Sequence, residues 1–135
     1  MEIHGSRSEP SELDAAAPSR YVGAVGVRGL PVALGEGLEA RLIEFGPGGR
    51  SRPHICTSDR LLHVVSGEGV VADQEGPSVV GPGDTVTVPA GEWHWHGGLP
   101  HTAAVLLVVE RAADVSWNVA SRDWPIGYGP PDPTA

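Results

Sequence analysis

The sequence has little that would cross-link it, make it basic or hold it in lipid. Cys56 is the one cysteine in 135 residues, which excludes an intramolecular disulfide. Nine Lys and Arg stand against 17 Asp and Glu, for a formal net charge of −8. A nucleic-acid groove needs a basic stripe and an anionic membrane surface needs basic clusters, so both partner classes are excluded. The longest apolar run, Ala103 to Val109, falls far short of the roughly 20 residues that span a bilayer. The first ten residues, MEIHGSRSEP, hold no apolar core of signal-peptide length and no glycine at position 2 for myristoylation. These absences lead to the expectation of a soluble, cytoplasmic protein. A helical apolar period is also missing from the middle of the chain.

What the chain does have is glycine, proline and short apolar runs. The 19 glycines and 13 prolines are spread through the chain, as tight turns between short strands require. Strand-forming runs fall at Tyr21 to Val27, Leu38 to Phe45, Arg60 to Val65, Val70 to Ala72, Ser78 to Val80, Thr85 to Val88 and Thr102 to Glu110. Turn signals such as Gly46-Pro47-Gly48-Gly49 and Gly81-Pro82-Gly83-Asp84 separate them. Short β-prone runs at such regular spacing predict an all-β sandwich or barrel. With no repeat and no linker, the chain divides into an arm over 1–19, one barrel over 20–115 and a C-terminal segment over 116–135. A short helix is expected from Ser116 to Trp124.

Residue types that ligate metals fall in two places, His54-Ile55-Cys56 and His94-Trp95-His96. In a strand, residues i and i+2 share a face. His54 is thus paired with Cys56 and His94 with His96, and up to four ligands converge if both faces point into one barrel. Imidazole and thiolate suit zinc, iron, copper or nickel better than magnesium or calcium. The opposite possibility, histidines lining a metal-free pocket with Cys56 as a small buried apolar residue, stays open. His96 is also a candidate general acid or base. Trp95, out of phase with the ligands, is expected outside the barrel or in a dimer contact.

Gly48, His54, Cys56, Arg60 and Gly67 resemble the first motif of the cupin family in residue spacing, and Gly83, Pro89, Gly91 and His94 resemble the second. The stretch from Pro82 to Gly97, the opening Met1-Glu2-Ile3 and the segment Glu110 to Trp117 are similar to the small single-domain cupins associated with carboxymuconolactone decarboxylases. The resemblance implies a double-stranded β-helix, or jelly-roll barrel, with short terminal arms. It implies metal ligands at His54, Cys56 and His94, although the family usually has histidine where Cys56 stands. Arg60 stands where the family has a Glu or Gln ligand, and Gly98 where many cupins have Asn. A guanidinium cannot ligate a metal, and its charge disfavours a nearby cation.

The expected function is that of a small-molecule enzyme with a metal-assisted pocket, of oxygenase, isomerase, decarboxylase or polyketide-cyclase-like chemistry. The cofactor would be one divalent transition metal (Fe, Zn, Ni, Mn or Cu). His96 and Arg60 would serve the reaction itself. The alternative is a non-catalytic binding cupin with a degenerate, metal-free site. Arg60, Leu62 and Val64 share the inward face by parity. Asp59 is the nearest carboxylate but has the wrong parity, so an anionic substrate is the expected partner of Arg60, with snorkelling of its guanidinium to the barrel mouth as the alternative. A two-fold homodimer is the expected assembly.

Overall fold

A computed structural model describes residues 14–15, 18–30, 37–112 and 114–117. Thirteen short strands run in chain order: β1 (Asp14–Ala15), β2 (Tyr21–Val22), β3 (Val25–Gly29), β4 (Leu38–Phe45), β5 (Arg50–Ser51), β6 (His54–Cys56) and β7 (Arg60–Gly67), then β8 (Gly69–Asp73), β9 (Gly76–Val80), β10 (Thr85–Val88), β11 (Trp95–Gly98), β12 (Ala104–Arg111) and β13 (Val115–Trp117). Every pairing is antiparallel. Six strands form one sheet in the order β1-β3-β4-β12-β7-β10, five form another in the order β2-β5-β11-β8-β9, and β13 pairs with β6. Two packed antiparallel sheets linked by crossovers make a jelly-roll barrel, and the described residues include no helix. Among them no helix is long and apolar enough to cross a membrane.

The barrel follows from the period of two in its strands. Ile43 and Phe45 on β4, Leu62 and Val64 on β7, and Ala104, Leu106 and Val108 on β12 bury one shared core with Val80 and Val88. Arg60 is buried on the same face of β7 as Leu62 and Val64, as parity predicts. A second apolar cluster, Val70, Ala72, Trp93 and Trp95, lies apart from the first. Trp95 pairs with Ala72 while its neighbour His96 pairs with Val71, so the two side chains take opposite faces of the sheet. Trp95 is therefore off the His96 face, but at 3% exposure it has no surface to give to a partner.

Two departures from the sequence reading concern the ends. Ser116 and Trp117 belong to β13, paired with Ile55 and His54. The expected helix from Ser116 does not start there, because these residues complete a ladder with the strand that carries His54. Its remainder and most of the arm over 1–19 lie outside the described residues, as does His4. Tyr21 to Val27 is two strands, since Gly23 at φ +83 turns the chain between β2 and β3.

Candidate functional site

Backbone pairing brings the two histidine segments together. His54 and His94 form an antiparallel bridge, each N–H donating to the other's carbonyl at 3.0 and 3.1 Å. His96 then falls on the His94 face one strand step on. Ring centroids stand 4.2 Å apart for His54 and His94, 5.4 Å for His54 and His96, and 5.8 Å for His94 and His96. One ligand nitrogen from each lies within 4.8 Å of the others, and all three side chains are buried.

Local hydrogen bonds fix two of the tautomers. Nδ1 of His54 lies 2.8 Å from the Arg52 carbonyl and Nδ1 of His94 lies 3.0 Å from the Glu92 carbonyl. A carbonyl only accepts, so each Nδ1 carries the proton and each Nε2 presents a lone pair to the centre. His96 hydrogen-bonds at neither ring nitrogen and sits edge-on to Phe45. Burial is the largest cause that lowers all three pKa values and the Arg60 charge adds to it in each, while repulsion from neighbouring imidazoles lowers His54 and His96 further. His94 comes down to about 4, and His54 and His96 stand well below the ordinary histidine value. The cluster is therefore neutral at pH 7.

Arg60 completes it. Its Nη1 donates to His54 Nε2 at 2.8 Å and lies 3.4 Å from His94 Nε2. Its Nε donates to Glu110 Oε2 at 2.8 Å, with Nη2 2.8 Å from the same oxygen. Arg41 binds the other carboxylate oxygen, Oε1. Two guanidinium groups thus share one carboxylate, which leaves one uncompensated positive charge beside three neutral imidazoles. Tyr21 and Trp117 close the same side: Tyr21 packs on Phe45 and Trp117, and Trp117 on His54 with centroids 4.5 Å apart.

Glu110 corrects the sequence reading of Arg60. The carboxylate partner is present within the chain and need not come from a ligand. It ends the buried alternation Ala104, Leu106, Val108, Glu110, so the parity argument used for β7 would have found it on β12. Asp59 is not at the site; its carboxylate accepts from the Ala90 N–H and holds a turn. Cys56 is buried on the His54 face of β6, yet the group of convergent ligand atoms does not include its thiol. Because His54 and His94 pair antiparallel, two residues onward from each lead in opposite directions, so Cys56 lies on the far side of the bridge from His96. Burial also pushes the thiol pKa up, against thiolate ligation. His101 is exposed, and His63 bonds to Thr85 on the outer face.

A cavity of about 250 Å³ opens on His94 between β8, β9 and β10, walled by Val71, Ser78, Val80, Val86 and Val88. It lies below the usual range of drug-sized pockets, roughly 300 Å³ upward, and its lining mixes these aliphatic side chains with Asp73, Thr87 and Glu92.

The sequence profile of the family described as Cupin domain matches residues 41–110. The (R)-mandelonitrile lyase of Granulicella tundricola is 38% identical over 80 residues, 56% of this chain and 60% of that protein's length. A cupin-like protein of Thermotoga maritima has a similar crystal structure, with TM-score 0.74 and 22% identity over 81% of this chain and 87% of that one. A polyketide cyclase of Streptomyces resistomycificus is similar at TM-score 0.73 and 22% identity, over 90% and 87% of the two chains. At such identities the structural likeness speaks for the fold.

Proposed function

The chain belongs to the cupin family, and on that footing we propose that it is an enzyme acting on a small molecule at His54, His94, His96 and Arg60. The observation that carries this is the convergence of three buried neutral imidazoles and a guanidinium on one point, with His94 also lining a small cavity. Neutral imidazole either holds a transition metal or moves a proton. The donor set fits a metal: the protons of His54 and His94 are committed to backbone carbonyls, their Nε2 lone pairs face inward, and His96 has both nitrogens free of hydrogen bonds. His54, His94 and His96 would hold the ion, which would supply Lewis acidity to a bound oxygen.

The chain's own residues have separable tasks. Aliphatic walls from Val71, Val80, Val86 and Val88 exclude water and take the apolar body of the substrate. Arg60, anchored by Glu110, holds a fixed positive charge where an oxygen gains negative charge, which is electrostatic stabilisation by a preorganised donor. The excess charge of the Arg41–Glu110–Arg60 group favours a substrate that is anionic or becomes so. Lyase chemistry is the form we favour, since the chain shares 38% identity over 80 residues with an (R)-mandelonitrile lyase.

A second reading is favoured by one contact. The Arg60 N–H already occupies the His54 Nε2 lone pair at 2.8 Å, as it would in a metal-free binding pocket. Elemental analysis of protein purified without a metal-affinity tag separates the two. The metal-assisted form predicts about one transition-metal ion per chain, lost in His54→Ala and in His96→Ala. Protein that stays metal-free after incubation with zinc, iron, nickel, manganese and copper in turn would leave only the second reading.

A further inference from the structure

Arg60 stands on the lone pairs that a metal would need. His54 Nε2 accepts from Nη1 at 2.8 Å, and His94 Nε2 lies 3.4 Å from the same nitrogen. The Nδ1 atoms cannot substitute, since both are committed to backbone carbonyls. One lone pair cannot serve an N–H and a metal at once, and a guanidinium repels an ion brought up beside it. The arginine is not there by accident of a flexible chain: it is buried at 3% exposure, and Glu110 clamps it through Nε and Nη2. Glu110 is itself shared with Arg41, so its charge stays paired if Arg60 moves.

We propose that Arg60 is a built-in cation that competes with a metal for His54 and His94, so that metal loading requires the guanidinium to withdraw from Nε2. The proposal rests on reading the three histidines as ligands. It gives the same lone pairs two alternative occupants: arginine on the imidazoles, or metal on the imidazoles with Arg60 withdrawn from Nε2. Metal affinity is then set by Arg60 and not by the donor set alone.

The test is calorimetric titration of the purified, chelator-treated protein with zinc, and with cobalt(II) followed by its visible absorption, for wild type, Arg60→Met and Arg60→Gln. Methionine removes the charge and the N–H donors; glutamine removes the charge and adds an amide oxygen. The expected result is zinc affinity raised by about tenfold or more in both variants, with a cobalt band of low-coordinate imidazole ligation appearing at lower cobalt than in wild type. Equal affinity in wild type and Arg60→Met would overturn the competition while leaving the three-histidine site standing. No binding in any of the three, with folded spectra retained, would instead overturn the ligand reading on which the proposal rests. On the unaltered protein, the Arg60 Nε–H resonance should shift on adding zinc, and a resonance unmoved at saturation would also overturn it.

Discussion

Burial decides the chemistry of the three imidazoles, and it does so at a cost in acid. His54, His94 and His96 are held neutral because the folded chain has no water around them to stabilise the charged form. The unfolded chain has ordinary histidines that take up protons near pH 6.5. Between that value and the folded values the unfolded state binds more protons, so stability is fully present above pH 6.5 and is lost as pH falls. For His94, whose folded value is about 4, the loss over the whole window is about 3 kcal/mol, and His54 and His96 add to it in the same direction. Urea unfolding of chelator-treated protein should therefore show the midpoint falling steadily from pH 7 to pH 4.5. A midpoint flat across that range would mean that the imidazoles are hydrated or already charged in the native state. At this scale the sequence was half legible. Parity identified His54, His94, His96 and Arg60 as inward. It also put Cys56 inward, because parity tells which face a residue takes and not how far along the barrel axis it stands. Glu110 was legible by the same rule and went unused. Tyr21 and Trp117 were not, since nothing local says that β2 and β13 meet over His54.

The element that carries His96 is held in place by what its neighbour lacks. Gly97 pairs with Arg50 on β5 and with Val70 on β8. A Cβ added there would lie 2.5 Å from the Gly49 carbonyl oxygen and 2.8 Å from the Arg50 Cα. Both are backbone atoms that no rotamer change moves aside. β11 can thus sit against β5 only with glycine at this position, and that approach fixes His96 next to it, whose N–H also donates to the Ser51 hydroxyl at 3.1 Å. Gly97→Ala should part the two strands and cost about 1–3 kcal/mol, the range of an overpacked interior. It should also weaken whatever binds at His96, because the ring moves with its strand. Chemical denaturation read beside zinc titration checks both, and a variant as stable as wild type would show that β5 and β11 are not in fixed contact. The strands themselves were largely readable: β4, β7, β10 and β12 fall where runs of Val and Leu lie between Gly and Pro turns. β5 was not, since Arg50-Ser51 carries no β-branched run and becomes a strand only by pairing across the barrel; β11 was legible only through the alternation of His94, Trp95 and His96, since Gly97-Gly98 adds no strand signal.

At the scale of the whole molecule, the outer face of the six-stranded sheet remains to be accounted for. The inward alternation on β7 and β12 leaves Leu61, Val65, Val105, Leu107 and Val109 on the opposite face. Leu61 is 37% exposed and Val65 51%, on a sheet whose neighbouring strands β7 and β12 lie paired along their length. Exposed apolar side chains on a sheet face offer surface for a contact, and such a face suits an isologous contact, in which each residue meets its own counterpart across a two-fold axis. Trp95 cannot supply that surface, being enclosed within the protomer, so the dimer expected from the sequence is moved here from the Trp95 face. The net charge of −8 opposes any association, and an apolar patch must outweigh that repulsion; raising the salt screens charge over roughly a Debye length, about 10 Å at 0.1 M, and should tighten the pair. The expected outcome is a dimer by light scattering at micromolar concentration, tighter in added salt, and a monomer for Val65→Glu with far-UV spectrum and zinc affinity unchanged. A wild-type monomer under those conditions would remove the dimer, and a dimer that survives Val65→Glu would place the interface on another face.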